Sequence, residues 1–114
     1  MPTLQLLVIK TPAPDQLAEF YTRLGFEFHY HRHGKGPFHY ASTNSNTVLE
    51  IYPLPKDVTE ADKTTRLGFS VDNLDTLLLE LPPACIINGA ATTEWGYTAL
   101  IQDLDGRKIE LTQA

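Results

Sequence analysis

The chain has 114 residues, 42% of them hydrophobic and 20% charged, which fits one folded domain with its own core and excludes a disordered chain. Its net charge of −5, without any basic run, argues against nucleic acid or an anionic membrane surface as a partner. No apolar stretch has the length of a membrane span or the make-up of a signal segment, and the single cysteine, Cys85, excludes an intrachain disulfide, so a cytoplasmic protein is expected.

Residues 4–10 form an apolar run of strand length, broken by Thr11-Pro12-Ala13-Pro14. Over residues 15–24, Leu17, Phe20, Tyr21 and Leu24 recur at helical spacing, and Gly25 stands where a helix stops. Three strands are predicted next, at 27–33, 37–43 and 47–53, joined by turns at Gly34-Lys35-Gly36 and Asn44-Ser45-Asn46. The Gly34-Lys35-Gly36 turn leads into a strand, not a helix, so it reads as a hairpin and not a phosphate loop. Residues 54–65 turn polar and read as a linker. A strand at 66–71 follows, then a helix carrying Leu74, Leu77, Leu78 and Leu81 that Pro82-Pro83 ends. Asp72 is expected to cap this helix, with Asp75 in the capping-box position. Further strands are predicted near Ile86, at 97–102 and at 108–112, the last two joined by a turn at 103–106.

The pattern repeats. An offset of 60 aligns Leu7 with Leu67, Asp15 with Asp75, Leu17 with Leu77, and Leu49-Glu50-Ile51 with Ile109-Glu110-Leu111. The reading is a single domain, 1–114, built from module one (about 1–53), a linker (about 54–65) and module two (about 66–114). Leu17, Phe20, Leu24, Leu49, Ile51, Leu77, Leu81 and Leu111 are expected in the core. Strand alternation then turns Glu50 and Glu110 to the face away from the helices. Two acids in matched positions are expected to converge on one cavity. The alternative is that both are solvated acids on an exposed sheet face.

Four segments carry a family resemblance: LAEFYTRLGFEF (17–28), VLEIYP (48–53), RLGFSVDNLD (66–75) and DLDGRKIEL (103–111). Through them the chain resembles the glyoxalase/bleomycin-resistance/extradiol-dioxygenase (vicinal oxygen chelate) superfamily. The resemblance implies an α+β fold in which two β-α-β-β-β modules pair into a curved, cleft-forming sheet, commonly as a homodimer. In metal-dependent members each module gives a His and a Glu. The resemblance places these at Leu6, Glu50, Arg66 and Glu110, with Gln5 instead of Leu6 if the alignment slips by one. Leucine cannot ligate, and arginine stays cationic. No cofactor is therefore expected at the usual place. A divalent metal stays open through Glu50 and Glu110 with one of His31, His33 and His39, or, as zinc, nickel or iron, through Glu50 with two of His29, His31, His33 and His39.

Arg66 has two readings, an ion pair with Glu50 or Glu110, or direct contact with an anionic ligand. His29, His31 and His33 alternate along one strand, with His39 across the hairpin; they are metal ligands or lining for a bound molecule. Tyr52 shares the Glu50 face by alternation, and Tyr30, Phe38, Tyr40, Trp95 and Tyr97 are further lining candidates, against ordinary core packing. Cys85 reads as a small buried hydrophobe. The function expected is binding of a small organic molecule in the inter-module cleft through Arg66, Tyr52, His31, His33, His39, Trp95 and Tyr97. The alternative is a lyase, isomerase or dioxygenase of the glyoxalase type, with Glu50 or Glu110 moving a proton.

Overall fold

The computed structural model describes residues 1–43 and 46–114, so the first two residues of the turn predicted at Asn44-Ser45-Asn46 lie outside the described residues. The chain divides into two compact units, Met1–Asp62 and Lys63–Ala114. The first contains β1 (Leu6–Thr11), α1 (Pro14–Arg23), β2 (Phe28–His31), β3 (His39–Ser42) and β4 (Val48–Pro53). The second contains β5 (Leu67–Val71), α2 (Leu74–Glu80), a 3₁₀ turn (Pro83–Cys85), β6 (Ile86–Thr93), β7 (Gly96–Gln102) and β8 (Lys108–Gln113). Each unit is one β-α-β-β-β module, as the repeat predicts, and the chain is α+β. No helix among the described residues is long and apolar enough to cross a membrane.

Strand order is β1-β4-β3-β2 in one sheet and β5-β8-β7-β6 in the other. In each, the outer helix-preceding strand runs parallel to the last strand, and the remaining pairs are antiparallel. The register repeats with the sequence: Leu7 pairs with Leu49 and Ile9 with Ile51, while Leu67 pairs with Ile109 and Phe69 with Leu111. These rows face the helices. Ile9, Leu49 and Ile51 are buried with Leu17, Phe20 and Tyr21 of α1, and Leu67, Ile109 and Leu111 with Leu74, Leu77 and Leu81 of the second unit.

Both helices are fastened to their sheet by a matched phenol–carboxylate bond. Tyr40 of β3 donates to Asp15 in the first turn of α1, and Tyr97 of β7 donates to Asp75 in the first turn of α2, each at 2.6 Å. The carboxylate of Asp15, followed by burial, pushes the Tyr40 phenol up to about 12 from its ordinary 10.0. The bond to Asp75 likewise raises Tyr97.

The structure corrects several sequence expectations. Leu24 is half-buried because α1 closes at Arg23 and Leu24 is its C-cap. Gly25, at φ +114°, takes the turn that ends the helix, with Phe26 N–H donating to the Tyr21 carbonyl at 3.2 Å. Asn73, not Asp72, caps α2, accepting from Thr76 N–H at 3.1 Å. The β2 strand stops at His31, and His33 falls in the hairpin turn where its carbonyl accepts from Gly36 N–H at 2.9 Å. Strand β6 runs for eight residues instead of a short stretch at Ile86. Its Asn88-Gly89 pair resembles a turn but lies in a strand with register shifts.

The turn after β7 is held by charge. Asp103 accepts from the backbone N–H of Asp105 and Arg107 at 2.9 and 3.1 Å, and from the Arg107 guanidinium at 3.1 Å. The same guanidinium reaches Asp105 at 3.0 Å. Burial works against the Arg107 charge, but the two carboxylates outweigh it and raise its pKa. The DLDGR segment is therefore a buried turn held by electrostatics.

Three outcomes are expected. Leu17→Ala should lower unfolding free energy by about 2–5 kcal/mol, and Leu79→Ala, on the exposed side of α2, by less than about 0.5 kcal/mol in denaturant titration. Asp103→Ala should cost about 3–5 kcal/mol in the same assay, because it strands a buried guanidinium. Because the folded pKa of Tyr40 lies above its unfolded value, its contribution to stability is whole below pH 10.0 and is lost as pH rises toward about 12. Ultraviolet titration should show this late phenol, and Asp15→Asn should bring it back toward the ordinary range.

Candidate functional site

Burial of Leu49 and Ile51 beneath α1 leaves Glu50 on the opposite face of the first sheet, with Tyr52 two residues along. Val8 of β1 lies beside Glu50, so alternation also brings Leu6 to this face. Exposed Leu6 and Val8 give β1 no donor atom toward Glu50.

The donors come from the hairpin on the other side of β4. His31 pairs with His39 across β2 and β3, and Ala41 pairs with Glu50 across β3 and β4. His39 is 1% exposed, with its ring stacked on Tyr52 at 4.0 Å between centroids. Its Nδ1 lies 3.2 Å from the Pro37 carbonyl and its Nε2 lies 3.3 Å from Glu50 Oε2. The rings of His31 and His33 lie 4.6 and 5.1 Å from that of His39. One donor atom from each of His31, His33, His39 and Glu50 falls within 4.8 Å of all the others. The Nε2 atoms of His31 and His39 are buried and have no hydrogen-bond partner among the described residues. Partial burial and the Glu50 charge raise the Tyr52 phenol above its usual range. His29 is exposed and is not part of the group.

In the second unit the matching face carries an ion pair. Arg66 Nη2 lies 3.5 Å from Glu110 Oε2, with 58% and 40% of the two side chains exposed. Both line a shallow depression with Gly68, Phe69, Ser70 and Thr112. Arg66 is thus paired with Glu110, the first of the two readings given for it.

The remaining sequence candidates lie elsewhere. Tyr97 gives its hydroxyl to Asp75 on α2, and Tyr40 to Asp15 on α1. Trp95 is 74% exposed in the β6–β7 turn. Tyr30 and Phe38 stack at 5.1 Å and line a groove with Pro12–Gln16, beside the start of α1. Cys85 is buried, which pushes its thiol up and makes it a poor nucleophile.

The sequence names every member of the His31–His33–His39–Glu50 group, and a site of two histidines with Glu50, but not that three imidazoles gather there. The signal was present in the spacing: a hairpin centred on Lys35 sets His31 opposite His39.

No family model and no curated protein matches this chain. Solved structures do. A glyoxylase/bleomycin resistance protein/dioxygenase domain from Frankia sp. EAN1pec aligns over 100% of this chain and 98% of its own, at TM-score 0.78 and 16% identity. The chain has the glyoxalase/bleomycin-resistance fold. A member of the same superfamily from Sphaerobacter thermophilus DSM 20745 aligns over 100% and 98% of the two chains, at TM-score 0.76 and 14% identity. TnmS3, an antibiotic binding protein from Streptomyces sp. CB03234, aligns over 99% and 96%, at TM-score 0.75 and 20% identity.

The usual four-ligand arrangement of this fold does not suit the residues present. Leu6 has no lone pair to give, and Arg66 holds a fixed positive charge against Glu110. Because both partners of that pair are well solvated, a double-mutant cycle of Arg66→Ala and Glu110→Ala should return a coupling of about 0–1 kcal/mol in unfolding.

Proposed function

We propose that this protein binds a small organic molecule without a metal at the usual place of the fold. The observation that carries the reading is the exposed Arg66–Glu110 pair, which stands where the resemblance puts a histidine and a glutamate. A guanidinium bonded to one carboxylate through one nitrogen keeps further N–H donors for an anionic or oxygen-rich ligand. The name of TnmS3 as an antibiotic binding protein supports antibiotics as the first class to try. Within the first module, Glu50, Tyr52, His31, His33 and His39 form a separate polar and aromatic surface, and Trp95 and Tyr97 are the further candidates of the second.

The enzymatic reading, a lyase, isomerase or dioxygenase of the glyoxalase type, is favoured by one feature of the same pair. Glu110 is a proton acceptor held beside a cation, and Arg66 could stabilise an oxyanion formed when a carbon acid loses its proton to Glu110. Glu50, beside His39, is the corresponding acid of the first module.

Calorimetric titration with a panel of anionic and glycosylated antibiotics, on metal-free protein, tests the binding reading. At least one should bind, and Arg66→Ala should weaken that complex by about tenfold or more, the loss expected for a charge-assisted hydrogen bond. A panel with no binder, or binding indifferent to Arg66, overturns it. Turnover of a bound compound that disappears in Glu110→Gln would establish the enzymatic reading instead.

A further inference from the structure

We infer that the first module alone forms a transition-metal site, with His31, His33, His39 and Glu50 as its ligands and no contribution from Glu110 or β1. This site differs from the usual one of the fold in its elements: three imidazoles come from the β2–β3 hairpin and one carboxylate from β4. It does not rest on the small-molecule reading.

Three observations carry the inference. The first is distance. A tetrahedral ion with bonds of about 2.0–2.2 Å holds its donors about 3.3–3.6 Å apart. His39 Nε2 and Glu50 Oε2 are already 3.3 Å apart, and all four donors lie within 4.8 Å of one another. Small side-chain rotations of His31 and of His33 in its turn would close the rest of the shell.

The second is the unmet valence of the rings. Burying an imidazole nitrogen without a partner costs free energy, and here two are left bare, on His31 and His39, in rings whose centroids lie 4.6 Å apart. If Nδ1 of His39 carries the proton, it donates to the Pro37 carbonyl at 3.2 Å, and Nε2 is left as a lone pair. That lone pair faces a carboxylate oxygen 3.3 Å away. Two electron pairs at that separation repel unless a cation stands between them. A metal ion also accepts the lone pair of His31, which a single proton on His39 does not.

The third is support behind the ligands. A ligating histidine ordinarily gives its other N–H to a carbonyl or carboxylate, and His39 has Pro37 for this. The Tyr52 ring, stacked at 4.0 Å and 9° from parallel, fixes the plane of the imidazole. Glu50 is held by β4 in a register that buries both its neighbours. Three neutral imidazoles and one carboxylate form a borderline donor set that suits zinc, cobalt(II), nickel or iron(II), and not calcium or magnesium.

The test uses the whole chain with any affinity tag removed. Zinc chloride titrated into chelator-treated protein should bind one equivalent by calorimetry, and cobalt(II) should give the intense visible absorption of a low-symmetry four-coordinate site. His33→Ala, in the exposed hairpin turn, should weaken zinc by about tenfold or more, since even an outer-shell partner is worth that much. Glu50→Gln should do the same. Glu110→Gln should leave the affinity unchanged. Far-ultraviolet circular dichroism of each variant separates loss of a ligand from loss of fold, and His31→Ala gives a second ligand deletion should His33→Ala unfold. No zinc binding, or zinc binding that survives both His33→Ala and Glu50→Gln, overturns the site. Binding lost in Glu110→Gln overturns it too, in favour of a centre that draws on both modules.

Discussion

The pairing of β1 with β4 sets Leu7 beside Leu49 and Ile9 beside Ile51, and packs this aliphatic surface against α1. A shift of one residue in that register would bury Glu50 and expose Leu49 and Ile51, exchanging the two faces of the strand. Burial of two carboxylate neighbours is thus what aims the carboxylate. The same constraint operates in the second unit, where Ile109 and Leu111 are fully buried and Glu110 between them is not. Hydrophobic burial here does more than stabilise. It selects which side chains of an otherwise ordinary strand are available for chemistry.

What the two modules then do with that face differs. In the second, Glu110 meets a solvated arginine at 3.5 Å. In the first, Glu50 is 13% exposed and lies against a nearly buried imidazole at 3.3 Å. Electrostatics explains why these are not equivalent. A solvated pair is screened by water and its partners can exchange for a ligand at small cost. A desolvated carboxylate beside unpartnered imidazole nitrogens has no such freedom, and a cation held there is screened little. The duplicated framework therefore carries one exchangeable charge pair and one donor cluster.

Much of the framework could be read from the chain itself. The offset that aligns Leu49-Glu50-Ile51 with Ile109-Glu110-Leu111 survives as identical register, because both follow from the same alternation of apolar side chains. Elements without such alternation were less readable. Strand β6 contains Asn88, Gly89 and a run of small residues, so its eight residues are held by pairing with β7 and not by any apolar rhythm of their own. The α2 cap moved from Asp72 to Asn73 because adjacent residues of similar capping ability differ only in backbone geometry, which spacing does not encode. With Asn73 as the cap the capping-box position falls on Thr76, so Asp75 lies in the first turn without that role, and its partner is Tyr97, a contact across 22 positions that local reasoning does not reach.

The histidines show the same boundary between local and long-range information. Alternation put His29, His31 and His33 on one face, which holds only while the strand lasts. Strand β2 ends at His31, and the turn through Gly34, at φ +56°, brings the chain back so that His33 and His39 lie on either side of it. The composition of the hairpin suffices to predict that it turns. Which imidazoles meet is decided by where the turn is centred and by the pairing of β3 with β4, since that second pairing is what supplies Glu50. A one-residue change in loop length between β2 and β3 would keep all four residues and the fold, yet set His31 opposite a different partner. The cluster is thus a property of register, and the glycines of the hairpin matter to it as much as the ligands do.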